Sequence, residues 1–209
     1  MTIRTRIKIC GITRIQDAEC AVSEGADALG FIFWSASPRF ISLNNARAIV
    51  RALGPFVATV GVFVNPSQEE VRRAIAGAGI STLQFHGEET PAFCAGFGLP
   101  YVKGFKVGQG GDLINSAPQY AEAAGWLFDA FDPRFVGGTG ETFDWSLIPR
   151  NLARPLVLSG GLHAGNVVEA IRRVRPFAVD VSSGVEAAKG VKDAARIAAF
   201  IQGVRNADQ

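Results

Sequence analysis

Short β-type runs alternate with helical patterns from one end of this chain to the other, and that alternation constrains the fold more than any other feature. There are about eight runs of each kind, the number that closes a (β/α)8 barrel. Most of the β-type runs are continuously apolar, as in parallel strands that are covered on both faces. We predict strands at Arg6–Cys10, Ala28–Phe33, Val57–Phe63, Thr82–Phe85, Tyr101–Phe105, Trp126–Asp129, Leu156–Leu158 and Phe177–Val181. The predicted fold class is therefore α/β, a single-domain (β/α)8 TIM barrel over residues 1–209.

The helical stretches between these strands show apolar residues at spacings of three and four, most clearly over 71–78, 167–174 and 197–204. Thr13 with Gln16 and Ser67 with Glu70 have the spacing of capping boxes, which predicts that helices begin there. The segment 144–149 leaves room for little more than one helical turn. A doubly wound open sheet is the alternative fold, but no GxGxxG motif follows the first strand.

Size and composition predict one soluble domain without polyanionic or membrane partners. With 209 residues and 48% hydrophobic content, the chain can bury most of its surface in one core. The net charge of +2 comes from scattered Lys and Arg, so neither nucleic acid nor a membrane surface is implied. No apolar run approaches the roughly 18 residues of a membrane span, and the N-terminus lacks the apolar segment of a secretory signal.

Cysteine and histidine content bears on localisation and metals. Cys10, Cys20 and Cys94 show no CxxC spacing, which argues against a disulfide framework and a zinc site and fits a reducing cytoplasm. His86 and His163 are the only histidines, too few to favour a metal site. We therefore expect a cytoplasmic protein without a bound metal.

Cys10 ends the first predicted strand, just before a helix, where an α/β barrel keeps its chemistry. From position alone it is either a catalytic thiol or one more small buried hydrophobe. Lys8 lies two residues earlier on the same face of the strand but one layer deeper, so we expect no direct help to the thiol from its ammonium.

Two glycine-containing turns follow the last two predicted strands: Ser159-Gly160-Gly161-Leu162 and Ser182-Ser183-Gly184-Val185. In barrels of this kind the loops after strands seven and eight form a phosphate cradle of backbone N–H groups, which glycine lets a ligand approach closely. The pair predicts a small-molecule phosphorylated substrate. A third cluster, Gly137–Gly140, is either a mobile loop over the site or a surface turn.

Asp129 ends an apolar strand and so places a carboxyl group at the same rim as Cys10. Among Leu127, Phe128 and Phe131 an acid is expected to be partly desolvated, which favours the protonated form that a general acid needs. Asp129 is otherwise a cap for the loop that follows, and Asp132 is the competing candidate three residues on.

Three further side chains are candidates for contact with the substrate. Arg39 follows strand two, where a guanidinium can bind a carboxylate in bidentate fashion. His86 follows strand four and is expected to line the pocket, whereas His163 is expected at a helix start. Asp180 lies at the end of strand eight and either holds a partner at the rim or packs the barrel end.

Taken in order, the motifs closely resemble those of phosphoribosylanthranilate isomerase over nearly the whole chain. The segments are KICG at 8–11, SPR at 37–39, LQFHG at 83–87, LFDA at 127–130, GGTG at 137–140 with FDW at 143–145, SGGL at 159–162 and VDVSSGVE at 179–186. The departures are small: Phe85 where an aliphatic residue is usual, Phe128 beside the acid, and Lys189-Gly190 in place of Pro-Gly.

The resemblance implies an isomerase of tryptophan biosynthesis without cofactor or metal, which converts N-(5'-phosphoribosyl)anthranilate into 1-(2-carboxyphenylamino)-1-deoxyribulose 5-phosphate by an Amadori rearrangement. It implies Cys10 as general base and Asp129 as general acid. Arg39 would hold the anthranilate carboxylate, and the turns Gly160–Gly161 and Ser182–Gly184 would hold the phosphate. Oligomeric state is not implied.

Two other classes of function remain as alternatives. A second phosphate-binding barrel enzyme would be a pentose-phosphate epimerase, which needs metal-ligand histidines, or an indole-glycerol-phosphate synthase, which needs a catalytic lysine and glutamate at strand ends. Neither set is evident in the sequence. The third possibility is a barrel that binds a phosphometabolite without turning it over.

Overall fold

The computed structural model describes residues 4–107, 116–129, 145, 148–149 and 151–209. Eight parallel strands follow one another around a closed barrel in the order β1 to β8. Their bounds are β1 Arg6–Cys10, β2 Ala28–Ile32, β3 Ala58–Phe63, β4 Thr82–Phe85, β5 Tyr101–Lys106, β6 Gly125–Asp129, β7 Leu156–Ser159 and β8 Ala178–Val181. The predicted (β/α)8 barrel is confirmed, and every strand bound lies within one residue of the prediction.

Helices lie between the strands and cover the outside of the barrel. The described residues contain α1 Ile15–Glu24, α2 Leu43–Ala52, α3 Gln68–Ala78, α4 Pro91–Ala95, α5 Val167–Val174 and α6 Ala194–Ala207, with 3₁₀ turns at Ala117–Tyr120 and Ser183–Val185. The predicted capping box at Ser67 and Glu70 is confirmed at the start of α3. Half of the predicted short helix over 144–149 falls outside the described residues.

The capping box predicted at Thr13 and Gln16 is wrong. Helix α1 begins at Ile15, and its N-cap residue is Arg14, whose side chain makes no capping hydrogen bond. The Thr13 hydroxyl instead donates to the backbone carbonyl of Gly190, 2.5 Å away and 177 positions later in the chain. A local spacing rule cannot anticipate a partner that the fold supplies from so far along the sequence.

Strand alternation sends neighbouring side chains to opposite sides of the barrel wall. On β6, Phe128 faces outward and packs on Phe105 at 5.7 Å between ring centroids, so it does not line the carboxyl group of Asp129 as expected. Phe85 also faces outward and lies in an aromatic cluster with Phe63 and Tyr101, among others. Both departures from the family pattern therefore fill the layer between sheet and helices.

None of the helices within the described ranges is both long enough and apolar enough to cross a membrane.

Candidate active site

Cys10 lies at the carboxyl end of β1 and is 6% exposed. The chain turns sharply after it: Gly11 has a φ of 75°, and the N–H groups of Gly11 and Ile12 both donate to the carbonyl oxygen of Gly30, at 2.9 and 3.0 Å. Few residues other than glycine adopt that backbone conformation. The thiol is therefore held at the rim by a backbone that has little freedom.

Lys8 reaches the thiol, contrary to the expectation that its ammonium lies too deep in the barrel. A Cβ atom built on Gly30 would lie 2.7 Å from Cys10 Sγ and 3.1 Å from Lys8 Nζ, so both atoms lie over the bare face of that glycine. Lys8 Nζ also donates to Asp180 Oδ1 at 2.8 Å. A glycine inside a strand indicates such a close approach. The presence of Gly30 in the sequence of β2 could therefore have predicted the contact between Lys8 and Cys10.

Opposing effects act on the thiol of Cys10. Burial raises its pKa, because the charged thiolate loses hydration, while the ammonium of Lys8 lowers it. Asp180 raises the pKa and Lys192 lowers it, and the net result lies above the usual value. Burial lowers the pKa of Lys8, but the charges of Asp180 and Cys10 and the hydrogen bonds with them together outweigh burial and raise it above its usual value. In the free protein Cys10 is therefore mainly a protonated thiol at neutral pH.

Asp129 ends β6 on the same rim, with β7 and β8 between β6 and β1 around the barrel. Its Oδ2 lies 3.3 Å from Nε2 of His86, and Nδ1 of that ring lies 3.3 Å from Nε2 of Gln84. The His86 ring fits there because Gly104 has no side chain: a Cβ would lie 2.7 Å from His86 Nδ1. His86 does line the mouth of the barrel, and its direct contact is with the candidate acid.

The two late glycine turns come together, as expected for a phosphate cradle. Gly160 and Gly161 have φ values of 91° and 63°, and a Cβ on Gly161 would face open space. Asn166 fixes this turn: its Nδ2 donates to the Gly161 carbonyl at 3.0 Å and its Oδ1 accepts from the His163 N–H at 2.9 Å. His163 itself lies before α5 and not at its first residue.

The turn after β8 is a 3₁₀ helix over Ser183–Val185 with Ser182 at its N-cap position. Gly184 is pressed against the first turn, since a Cβ there would overlap with the carbonyl oxygen of Leu162. The Ser182 hydroxyl lies on the opposite side, 3.1 Å from where a Cβ of Gly11 would be. The turn after β8 therefore contacts both the turn after β7 and the loop that follows Cys10. Phosphate binding at Gly160, Gly161, Ser182, Ser183 and Gly184 stays a prediction.

Arg39 has a protein partner that the sequence did not indicate. Its Nε and Nη2 donate to the two carboxylate oxygens of Glu186, both at 2.7 Å. The side chain crosses Gly11, whose Cβ would lie 2.6 Å from Arg39 Cδ, so the guanidinium stem lies beside the loop that follows Cys10. Nη1 forms no hydrogen bond with another described residue, and ligand binding by Arg39 stays a prediction.

Asp180 faces the barrel interior one residue before the end of β8 and is 4% exposed. It pairs with Lys8, and the hydroxyl of Ser159 lies 3.4 Å from its Oδ2. A contact of Asp180 with substrate stays a prediction. Two other candidates, Asp132 and the Gly137–Gly140 cluster, lie outside the described residues.

The fold and the site together define the class: a (β/α)8 barrel enzyme whose thiol, carboxyl group and glycine turns converge on the carboxyl ends of the strands. Residues 7–203 match the family described as N-(5'-phosphoribosyl)anthranilate (PRA) isomerase. The chain therefore belongs to the PRA isomerase family.

Individual relatives agree with the family assignment. The chain is 57% identical over 199 residues to the N-(5'-phosphoribosyl)anthranilate isomerase of Nitrosospira multiformis, covering 95% of this chain and 96% of the relative. It is 54% identical over 206 residues to that of Nitrosomonas eutropha, covering 99% of each. Among solved structures, the Thermotoga maritima enzyme superposes with a TM-score of 0.89 at 45% identity, covering 97% of this chain and 99% of that one.

A second similar structure carries a bound ligand. It is a phosphoribosyl anthranilate isomerase in complex with reduced 1-(o-carboxyphenylamino)-1-deoxyribulose 5-phosphate. It superposes with a TM-score of 0.86 at 43% identity, covering 97% of this chain and 99% of that one.

Proposed function

We propose that this chain converts N-(5'-phosphoribosyl)anthranilate into 1-(2-carboxyphenylamino)-1-deoxyribulose 5-phosphate, the isomerisation step of tryptophan biosynthesis, with Asp129 as general acid and Cys10 as general base. The observation that carries the proposal is that both groups end strands at one rim, with the glycine turns between them in the order of the barrel. The reaction only moves hydrogen within one molecule, so proton transfers balance it without a cofactor or a metal.

Asp129 opens the sugar ring. It gives its proton to the furanose oxygen, the bond from that oxygen to C1' breaks, and the electrons of the anthranilate nitrogen form an iminium to C1'. His86, 3.3 Å from Oδ2, fixes the carboxyl group in one orientation. The other oxygen, Oδ1, makes no hydrogen bond to another described residue and is left to meet the substrate. This is the arrangement that a general acid needs.

Cys10 then removes the proton from C2', and the iminium nitrogen accepts the electrons to give an enolamine. Tautomerisation moves the enol proton to C1' and yields the ketone at C2'. The thiolate is the reactive form of cysteine. Three cations favour it: the ammonium groups of Lys8 and Lys192 on the protein and the iminium on the ligand. The iminium exists only after Asp129 has acted.

The remaining groups hold the two ends of the substrate. The open side of Gly161 and the N-terminal turn at Ser182–Gly184 offer backbone N–H groups to the phosphate. The Nη1 side of Arg39, opposite the side that pairs with Glu186, takes the anthranilate carboxylate. The ligand bound to the related structure has a phosphate at one end and a carboxyphenyl group at the other.

Three free cysteines support our inference of a cytoplasmic location.

The experiment is the decay of anthranilate fluorescence when the protein is added to the substrate. We expect rapid decay with the parent and with Cys20→Ser, which changes a thiol on helix α1. Cys10→Ser should bind substrate and lose turnover, because a hydroxyl is hardly ionised at neutral pH. Normal turnover by Cys10→Ser would remove the base from the scheme, and binding without turnover by the parent would favour a non-catalytic barrel.

A further inference from the structure

A short hairpin follows the 3₁₀ turn after β8, and we call residues 186–192 the rim hairpin. It consists of β9 Glu186–Ala188 and β10 Val191–Lys192. The hairpin is tied to the start of the chain, because the Lys192 N–H donates to Asp17 at 3.0 Å and Arg14 donates to the Lys192 carbonyl at 3.3 Å. It therefore connects the loops after β1 and β8.

Glu186 is the centre of the rim hairpin, and its side chain is only 5% exposed. Besides the two hydrogen bonds from Arg39, its Oε1 accepts from Lys192 Nζ at 2.9 Å and from the Gly190 N–H at 3.3 Å. Burial alone would raise the pKa of Glu186, but the hydrogen bonds from Arg39 and Lys192 outweigh it and hold the pKa below its usual value. The carboxylate is thus ionised and shared between two cations.

Lys192 continues the chain of contacts to the other end of the site. Its side chain is completely buried, and its Nζ lies 3.1 Å from the carbonyl oxygen and 3.4 Å from the hydroxyl of Ser182. Ser182 begins the turn proposed to bind phosphate. An unbroken series of bonds therefore runs from Arg39 through Glu186 and Lys192 to the phosphate turn.

This arrangement is expensive for stability alone. Two charges taken out of water lose hydration that their attraction barely restores, and apolar residues of similar size commonly stabilise a fold as well or better. A buried ion pair at the rim of a site is better explained by geometry, because an ionic hydrogen-bonded chain fixes distances that packing leaves adjustable.

We propose that Glu186 and Lys192 are positioning residues that set the spacing between the guanidinium of Arg39 and the phosphate turn, and so select a substrate with a carboxylate and a phosphate at its two ends. Glu186 occupies the Nε–Nη2 edge of Arg39 and presents the other edge to the ligand. Lys192 donates hydrogen bonds to the carbonyl and hydroxyl oxygens of Ser182. The inference rests on the proposed function, in which Arg39 binds the substrate carboxylate.

Two substrates separate this role from a merely structural one: N-(5'-phosphoribosyl)anthranilate and its analogue without the carboxylate, N-(5'-phosphoribosyl)aniline. Glu186→Gln keeps the size of the side chain but turns an amide N–H group or a neutral oxygen toward Arg39. We expect kcat/KM to fall about tenfold or more for the anthranilate substrate and less than about twofold for the aniline analogue. Lys189→Met, an exposed lysine of the same hairpin, is the matched control and should change neither.

A double-mutant cycle tests whether Glu186 acts through Arg39. In an Arg39→Met background, Glu186→Gln should have no further effect on the anthranilate substrate, since the group that it positions is gone. If Glu186→Gln lowers kcat/KM equally for both substrates, while Arg39→Met lowers it only for the anthranilate substrate, the positioning role of Glu186 is wrong. If Arg39→Met itself fails to distinguish the substrates, the carboxylate assignment is wrong and the inference is wrong with it.

Inorganic phosphate as a competitive inhibitor reports on the other end. Lys192→Met should weaken its inhibition at least about threefold, because small displacements of a binding group are costly. If inhibition by phosphate is unchanged in Lys192→Met but weakened in Gly161→Asp, the proposed role of Lys192 in positioning the phosphate turn is wrong. The proposed role of Glu186 in positioning Arg39 is not affected by that result. If Glu186→Gln or Lys192→Met does not fold, Glu186→Asp and Lys192→Arg keep the charges but change the reach, and the same selective losses are expected.

Discussion

Lys8→Met tests whether the ammonium beside Cys10 makes the thiol a usable base. Methionine retains the unbranched apolar stem of lysine and removes the charge. The positions of Lys8 Nζ and Cys10 Sγ around Gly30 place them within about 6 Å of each other. At that distance and an effective dielectric constant of about 20, the ammonium stabilises the thiolate by about 3 kcal/mol.

That energy corresponds to a change of about a hundredfold in the thiolate fraction at any pH below the pKa of the thiol. Burial already raises the pKa of Cys10, so removing Lys8 raises it further. We expect kcat/KM at pH 7 to fall about a hundredfold. The rise of kcat/KM with pH should move to higher pH, because kcat/KM reports the ionisation of the free enzyme.

Two assays measure the effect independently. The first is the pH profile of kcat/KM, and the second is the rate of alkylation by iodoacetamide in a Cys20→Ser background. Cys94 does not interfere, since burial raises its pKa to about 12. Both profiles should shift in the same direction in Lys8→Met, and neither should shift in Lys189→Met.

Removing Lys8 also leaves Asp180 buried without its cation, which costs stability of about 3–5 kcal/mol. Lys8→Met/Asp180→Asn removes both charges and should recover much of that stability. Its activity should remain low because the ammonium is still missing. A loss of less than about threefold at pH 7 in Lys8→Met, with unshifted profiles, would refute the electrostatic argument.

Two further predictions follow from the site. Asp129→Asn should lower kcat by about 10²-fold or more, because an amide cannot donate a proton as a carboxylic acid does. Asp132→Asn should keep kcat within a few-fold of the parent. The measurement is kcat of the two variants, and a larger loss at Asp132 would reverse the assignment. Gly161→Asp places a carboxylate where the phosphate is expected and a side chain at a φ of 63°, so KM should rise by orders of magnitude, as steady-state kinetics on protein shown folded by circular dichroism would reveal.

The barrel was predictable from sequence because parallel strands covered on both faces are continuous apolar runs, a signal that needs no knowledge of partners. The positions of Cys10 and Asp129 followed from the same signal, since each ends such a run. Gly160 and Gly161 were recognisable because left-handed backbone at strand ends selects glycine.

What the sequence could not supply was contact between distant segments. Arg39 and Glu186 are 147 positions apart, and nothing in either local motif indicates the other. The prediction for Lys8 was wrong for a different reason. Strand geometry fixes the position of the Cα atom along the barrel axis, but the long side chain of lysine can extend to the next layer where a glycine leaves room. The outward orientation of Phe128 followed from alternation and could have been predicted.

The charges around Cys10 imply an order for the two proton transfers. Lys8 and Lys192 both favour the thiolate, but each is paired with a buried carboxylate, Asp180 or Glu186. The protein alone therefore leaves the thiol with a raised pKa. In the proposed mechanism, the missing positive charge appears on the substrate when Asp129 opens the ring and an iminium forms at C1'. Because the thiol ionises readily only in the presence of that charge, little thiolate is available while the sugar is closed, and the proposed mechanism places ring opening before deprotonation at C2'.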